Sequence, residues 1–495
     1  MPYLLGIDFG GGASKATLID TAGNIAAEST VEYPTLHPTP DACEQRPEDW
    51  LRALCAVTRN ILETPVGGAP IRPGDILALA VDSATHSFVP ADADGTPLRP
   101  AVHWTDCRSR AQAEKLRAEA GAEIFAKTFH SPDTIWTLPQ LVWLGENEPG
   151  VFARTRKIFF EKDYIRYFLT GNFHTDYIEA LGSMLFDGNA LQWDSGLCRM
   201  AGVSPGALPP VIAPTDTAGK VTARAAAATG LAAGTPVVCG TTDTCMEVFA
   251  SGAVRPGDTT VKLATAGRIC VITDRARPDR HLVNYPHIVK GLWYPGTATK
   301  AAAASLRWYR DTFGGDYGEL VKAAEAVPLG CDGLVFQPYL NGELTPYADP
   351  ALCGGFTGVR ATHTRAHFTR AVLEGVALSL LDSRIYLDGL QIPRNARAVI
   401  IGGGAKGALW RQITADALGL TLTTTASSDS SLGSAMLAGM AAGVFADADD
   451  AVRKCIKVKD ETRPDPENTA RYAELFAEYK RLHDALAPLY RQRGK

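Results

Sequence analysis

Gly6-Ile7-Asp8-Phe9-Gly10-Gly11-Gly12-Ala13-Ser14-Lys15 is the stretch on which the reading of this chain turns. Residues 3–8 form a short apolar strand, 9–12 a glycine turn and 15–20 a second strand, which together make a hairpin. Consecutive glycines let successive backbone N–H groups point into one concavity, a shape that suits a phosphate. Asp8 ends the first strand and can orient a Mg2+ through its waters. Lys15 is not a P-loop lysine, because the spacing Gly-x4-Gly-Lys-Ser/Thr occurs nowhere in the chain. A glycine turn braced by an aspartate fits these residues equally well.

Outward from that hairpin, a related pattern recurs: residues 259–263, a turn of small residues at 264–267, then 268–274. One such hairpin at the start of each half points to an internal duplication. Strands at 76–81, 157–160, 236–239, 334–338 and 398–401 alternate with helices at 47–62, 110–120, 369–387 and 408–418, which implies an α/β architecture. Ser251, Gly252, Pro256 and Gly257 cluster within 250–257, so the expected division runs 1–250 and 251–495. Two α/β lobes meeting there are expected to leave a central cleft, the usual home of a ligand site. Residues 447–495 read as a charged, helical packing appendage.

Composition removes several alternatives. The 495 residues are 46% hydrophobic and 21% charged with a formal net charge of -5, so a general nucleic-acid binder is not expected. The ten cysteines are scattered singly and read as reduced thiols of a cytoplasmic protein. No run approaches a membrane span, and the apolar start has no basic region before it, so it reads as a strand rather than a signal peptide. No His/Cys cluster has zinc spacing and no Gly-x-Ser-x-Gly elbow is present.

The sharpest chemical feature follows the strand at 236–239. Gly240-Thr241-Thr242 forms a turn and Asp243 opens a helix. A carboxylate there can accept the proton of a substrate hydroxyl during phosphoryl transfer; equally, aspartate is a favoured helix N-cap. Gly402-Gly403-Gly404-Ala405-Lys406-Gly407 gives a strand–turn–helix with formal dinucleotide spacing, but the next strand-like run, 421–425, does not end in a ribose-binding acid. Its turn can lie against a flat adenine or simply let helix and strand cross closely. His86 follows an apolar strand, and Trp104-Thr105-Asp106-Cys107-Arg108 joins an aromatic, an acid and a base at a loop. These are plausible sugar-hydroxyl ligands, or a satisfied buried histidine and an Asp–Arg pair fixing a loop.

In their order along the chain, these segments resemble the FGGY carbohydrate kinases, within them the xylulokinase branch. The resemblance spans residues 3 to about 443. It is carried also by Glu44-Gln45-Arg46-Pro47, Lys162-Asp163-Tyr164 and Pro338-Tyr339-Leu340-Asn341-Gly342-Glu343-Leu344-Thr345-Pro346. It implies two ribonuclease H-like lobes of the actin/Hsp70 type, an N-terminal sugar-binding and catalytic one and a C-terminal nucleotide-binding one. It further implies transfer of the ATP γ-phosphoryl group to a sugar hydroxyl with Mg2+. By position Asp243 matches the family's base and Asp8 its hairpin aspartate. Thr85 and His86 fall where the family has a sugar contact and Asp106 where it has a substrate-facing acid; Trp104 beside them is expected to bind substrate as an aromatic wall. Thr265 and Gly267 match the second phosphate hairpin and Gly403, Gly404 and Ala405 the adenosine segment, while Gly11, Gly12 and Lys15 of the first hairpin are expected to contact ATP. Gly11 stands where the first hairpin usually has Thr, Thr244 where Asn is usual, Ala84-Thr85 where Gln-Met is usual, and Ala264 where the second hairpin has glycine.

The expected activity is phosphorylation of D-xylulose to xylulose 5-phosphate. Gluconate, ribulose or another polyol keeps the same chemistry. A silent actin-like sugar sensor and an NAD-dependent oxidoreductase are the readings of other classes. The expected partners are a small sugar and ATP or ADP, with no nucleic acid and no membrane. A homodimer is carried as one option for assembly.

Overall fold

The protein is described from a computed structural model, covering residues 1–493. The strands used below are β1 (Tyr3–Phe9), β2 (Ala13–Asp20), β3 (Ile25–Glu32), β4 (Ile76–Ser83), β5 (Thr217–Lys220), β6 (Pro236–Val238), β7 (Thr259–Leu263), β8 (Gly267–Val271), β9 (Arg397–Ile401), β10 (Thr421–Thr425) and β11 (Val458–Thr462). The helices are α1 (Pro47–Glu63), α2 (Glu161–Thr170), α3 (Tyr177–Gly182), α4 (Asp243–Ala250), α5 (Arg365–Gly389), α6 (Ala408–Leu418), α7 (Ser430–Ala441) and α8 (Pro466–Arg493).

The chain divides into two compact units. The first comprises 1–254, 285–291 and 427–457; the second comprises 255–284, 292–426 and 458–495. The first division falls inside the 250–257 cluster, but two stretches of the second half of the sequence fold onto the first unit. Packing explains the longer of them. Helix α7 is buried almost throughout, with Leu432, Ala435, Met436 and Leu437 closed from solvent, and it lies across β1, β2 and β4.

In the first unit the sheet order is β5-β6-β4-β1-β2-β3. β1 pairs antiparallel with β2 and parallel with β4, placing Asp8 opposite Lys15 on one side and Asp82 on the other. β1 is apolar on both faces because both are covered: α1 packs Trp50, Leu54, Val57 and Ile61 against one side, and α7 covers the other. Gly6 is required by that second contact. A Cβ there would overlap the carbonyl oxygen of Ser431 and the amide of Ala435.

The second unit repeats the arrangement. β7 pairs antiparallel with β8 and parallel with β9, and β9, β10 and β11 follow in order. Helices α5 and α6 pack together over this sheet, and α8 packs on α6. The hairpin-plus-parallel-strand motif thus occurs once in each unit, as the paired sequence patterns predict. The expected helical tail contains an unforeseen strand, β11, which pairs antiparallel with β10. It reads Val458-Lys459-Asp460-Glu461-Thr462 and is exposed along most of its length. A charged edge strand shows no apolar alternation from which to recognise it.

Candidate active site

The first hairpin is braced from behind. Thr35 Oγ1 and Gln45 Nε2 donate to the Gly11 carbonyl at 2.6 and 3.1 Å, and the Tyr33 hydroxyl donates to that of Gly10. Gln45 is itself fixed by the buried Trp50 indole, 3.1 Å away, which gives the Glu44–Pro47 motif a physical role. With carbonyls tethered, the turn is held in one conformation. A Cβ at Gly11 would meet nothing within 4 Å, so the residue that stands in place of threonine faces open space. Lys15 lies on β2, where its Nζ pairs with Glu28 at 3.2 Å and with Asp429.

Carboxylates gather behind this turn. Asp8 and Asp82 are register partners on adjacent strands, and each has one oxygen, Oδ1, that is buried without a hydrogen-bond partner. Burial raises the Asp8 carboxyl to about 7; a hydrogen bond with Asp82 opposes the rise and the charge of Asp243 adds to it. Asp82 is pushed well above the ordinary range by burial and then by the charge of Asp8; its Oδ2 accepts from Ser434 of α7 at 2.5 Å. Glu161, at the start of α2, is raised by burial and by Asp8 and Asp243, and Tyr33 donates to it at 3.4 Å.

Asp243 differs from these neighbours. Thr242, in extended conformation, occupies the N-cap of α4, and Asp243 is the first helical residue. Its side chain is only partly buried. Asp243 Oδ1 accepts from the Thr244 amide at 2.5 Å and lies 3.5 Å from Thr85 Oγ1. Aspartate at N1 gains from the helix dipole, but the capping position itself belongs to another residue. The carboxylate is not sealed inside a cap.

His86 is held with positive φ (70°). Its amide donates to Glu179 at 2.8 Å, and its Nε2 lies 2.9 Å from the Tyr285 hydroxyl. The ring packs against Trp136 and Tyr285, with His130 against both of those. Gly182 completes the pocket, since a Cβ there would strike the imidazole. Trp104 is 39% exposed. Asp106 has both oxygens engaged, by the Cys43 amide at 2.8 Å and by Arg108 at 2.9–3.1 Å, the loop-fixing role weighed in the sequence.

In the second unit, Gly402 (φ 96°) and Gly404 are demanded by a close crossing. A Cβ on either would press on Leu263 of β7, whereas one on Gly403 would meet nothing within 4 Å. Ala405 is buried beneath. The β7–β8 turn is fixed by Ala302 and Ala304 amides donating to Thr265 O at 3.0 and 3.2 Å. The Gly267 amide donates to Thr299 Oγ1 at 3.0 Å. Thus the small-residue turn at 264–267 and the glycine turn at 402–404, both expected to contact nucleotide, lie side by side.

Asp82, Glu161, Glu179, Trp136 and Tyr285 are the residues that sequence reasoning did not assign. Asp82 directly follows the strand expected at 76–81, yet only the β1–β4 register brings it to Asp8. The others come from distant segments with no shared spacing.

Comparison with known proteins agrees with this arrangement. The N-terminal domain model of the FGGY family of carbohydrate kinases matches residues 3–250, and the C-terminal domain model matches 263–442. A xylulose kinase of Bacillus subtilis (strain 168) is 31% identical, over 98% of this chain and 97% of that protein. A gluconokinase of the same strain is 28% identical, over 99% and 97%. The crystal structure of a xylulose kinase from Rhodospirillum rubrum superposes with a TM-score of 0.90 at 31% identity, covering 99% of this chain and 100% of that one. Both halves of the sequence, and the two hairpin-centred units they fold into, lead to one assignment: the chain belongs to the FGGY family of carbohydrate kinases.

Proposed function

We propose that this kinase transfers the γ-phosphoryl group of ATP to a hydroxyl of D-xylulose, with Asp243 as the base. The observation that carries the reading is the contrast between Asp243 and the acids around it. Asp8, Asp82 and Glu161 are pushed toward the neutral form by burial, while Asp243 sits partly exposed at a helix N-terminus. In phosphoryl transfer the catalyst mainly positions and stabilises. Asp243 would hold the acceptor hydroxyl and take its proton as the new O–P bond forms. Thr85 and His86 would face the sugar, with Trp104 as an aromatic wall and Asp106 fixing its loop. The turn at Gly11–Gly12, with Lys15 behind it, and Thr265, Gly267, Gly403, Gly404 and Ala405 would receive the nucleotide.

A nest of acids repels phosphate unless a cation intervenes. The unpartnered oxygens of Asp8 and Asp82 fit a hydrated Mg2+. Among the described residues no group of three His, Cys, Asp or Glu has metal-holding geometry, so contact through waters and nucleotide phosphates suits the ion better than a protein cage. Mg2+ supplies charge neutralisation on the transferring phosphate. The ten free cysteines fit a reducing, cytoplasmic setting. Among the described residues no helix is long and apolar enough to cross a membrane.

Gluconate is the second substrate to weigh, because a gluconokinase matches over nearly the full length. Phosphorylation assays with xylulose, ribulose, gluconate and glycerol separate these readings; no turnover on xylulose beside turnover on another substrate retires the first. Asp243→Ala is expected to lower kcat by about two to four orders of magnitude, with sugar binding by calorimetry retained. Wild-type turnover in that variant would remove Asp243 from the role of base.

A further inference from the structure

The Lys162-Asp163-Tyr164 motif directly follows Glu161 and anchors a buried ionic network. Lys162, Asp163, Arg166 and Asp176 all have side chains closed from solvent. Lys162 Nζ lies 2.6 Å from Asp163 Oδ1 and 2.8 Å from Asp176 Oδ2, and Arg166 Nη2 lies 3.0 Å from Asp163 Oδ1. Two cations thus balance two anions. Such a network stabilises little relative to apolar packing of the same volume, so its presence calls for another reason.

Its outward contacts supply one. Arg166 Nη1 donates to the Cys239 carbonyl at 2.5 Å, and Thr241 Oγ1 donates to Asp176 Oδ1 at 2.8 Å. Both land on the four-residue link, Cys239–Thr242, between β6 and Asp243. Gly240, at the centre of that link, has φ 73°, and a Cβ there would overlap the Val81 carbonyl of β4. The link is therefore gripped from the network on one side and pressed on β4 on the other. Asp176 also caps α3, accepting from the Ile178 and Glu179 amides, and Glu179 in turn accepts the His86 amide. One buried carboxylate is thereby tied both to the approach to Asp243 and to the seat of His86.

We propose that Thr241 and Asp176 are positioning residues for phosphoryl transfer, fixing the Cys239–Thr242 link so that Asp243 meets the acceptor hydroxyl. The proposal rests on the reading of Asp243 as base. Displacements of about 1 Å in such a group can cost about a hundredfold in rate. Thr241→Val removes the hydroxyl at constant volume. It is expected to lower kcat by about 10- to 100-fold while KM for ATP and for sugar stays within about threefold, and Thr241→Ser is expected to return most of the turnover. A merely structural role would lower the melting temperature without this kcat–KM split. Wild-type kcat in Thr241→Val, or a loss that Thr241→Ser does not repair, overturns the proposal. Thr241→Ala carries the same test if the valine variant does not fold, and failure of both to fold counts against a role in positioning. Asp243→Asn measured alongside separates the two readings. If it retains turnover, the assignment of the base fails and this inference with it; if it is inactive while Thr241→Val is normal, only the positioning role is lost.

Discussion

Glu343 shows how one side chain can carry a motif. It is 1% exposed and accepts from the Lys300 and Leu344 amides at 3.0 and 2.8 Å and from Ser379 Oγ at 3.2 Å. Through Lys300 it holds the 298–300 segment whose Thr299 receives the Gly267 amide, so the motif at 338–346 supports the second hairpin from behind. Burial raises the Glu343 carboxyl to about 7 despite those donors. A carboxyl with a raised folded-state pKa binds more protons folded than unfolded. Its contribution to stability is therefore full below the unfolded pKa and is lost as pH climbs from about 4.5 to about 7. Three buried histidines, His103, His130 and His287, are lowered by burial to about 4, 3 and 3, and they act in the opposite direction below about 6.5. Glu343→Gln keeps the acceptor and removes the titration, and comparison with wild type cancels the histidines. Between pH 5 and 7.5, urea denaturation is expected to show wild type losing up to about 3 kcal/mol relative to Glu343→Gln. A difference that stays flat with pH contradicts an uncharged Glu343 in the folded state at low pH.

Among the elements, α7 is the one on which the first sheet depends. Its sequence, Ser430-Ser431-Leu432-Gly433-Ser434-Ala435-Met436-Leu437, mixes apolar residues with small ones and carries no charge, and it is buried almost all round. Close approach to β1 is possible because Gly6 has no side chain, and close approach to α4 because Gly433 has none; a Cβ on Gly433 would press on the Met246 carbonyl. Gly6→Ala is accordingly expected to destabilise the protein by about 1–3 kcal/mol, read as a lower urea midpoint. An unchanged midpoint would show that α7 moves aside without cost. The same helix marks where sequence reading ran out. β1, β2 and the second hairpin were legible because apolar strands bracket glycine turns, and α1 because Trp50, Leu54, Val57 and Ile61 share one face. α7 has no charged, solvated face, so no 3.6-residue period declares it. β11 has no apolar face and was read as part of a helix. At the site, Asp8 stood out at the end of the first strand and Asp243 at the start of the helix that follows the Gly240–Thr242 turn. Asp82, Glu161 and Asp176 acquire meaning only through strand register and tertiary packing, which local spacing does not encode.

Across the whole molecule, the order of residues along the chain and the order of assembly part company. The first unit is completed by 285–291 and 427–457, segments that come after the second unit has begun at residue 255. The first of these supplies Tyr285, bonded to His86; the second supplies α7. Burying Leu432, Met436 and Leu437 is worth about 5–9 kcal/mol at about 1.5–3 kcal/mol for each side chain, as much as the whole net stability of many domains. A fragment ending at residue 254 would keep the β5-β6-β4-β1-β2-β3 sheet but leave the α7 face of β1 uncovered, with Gly6 at its centre. Such a face is too large and apolar to stand in water. The 1–254 fragment, expressed alone, is expected to bind a hydrophobic dye strongly and to unfold in urea without a cooperative transition, whereas the full chain unfolds with one. A sharp transition in the fragment, with native-like near-ultraviolet dichroism, would mean that the N-terminal half is self-sufficient and that α7 only decorates a core already closed without it.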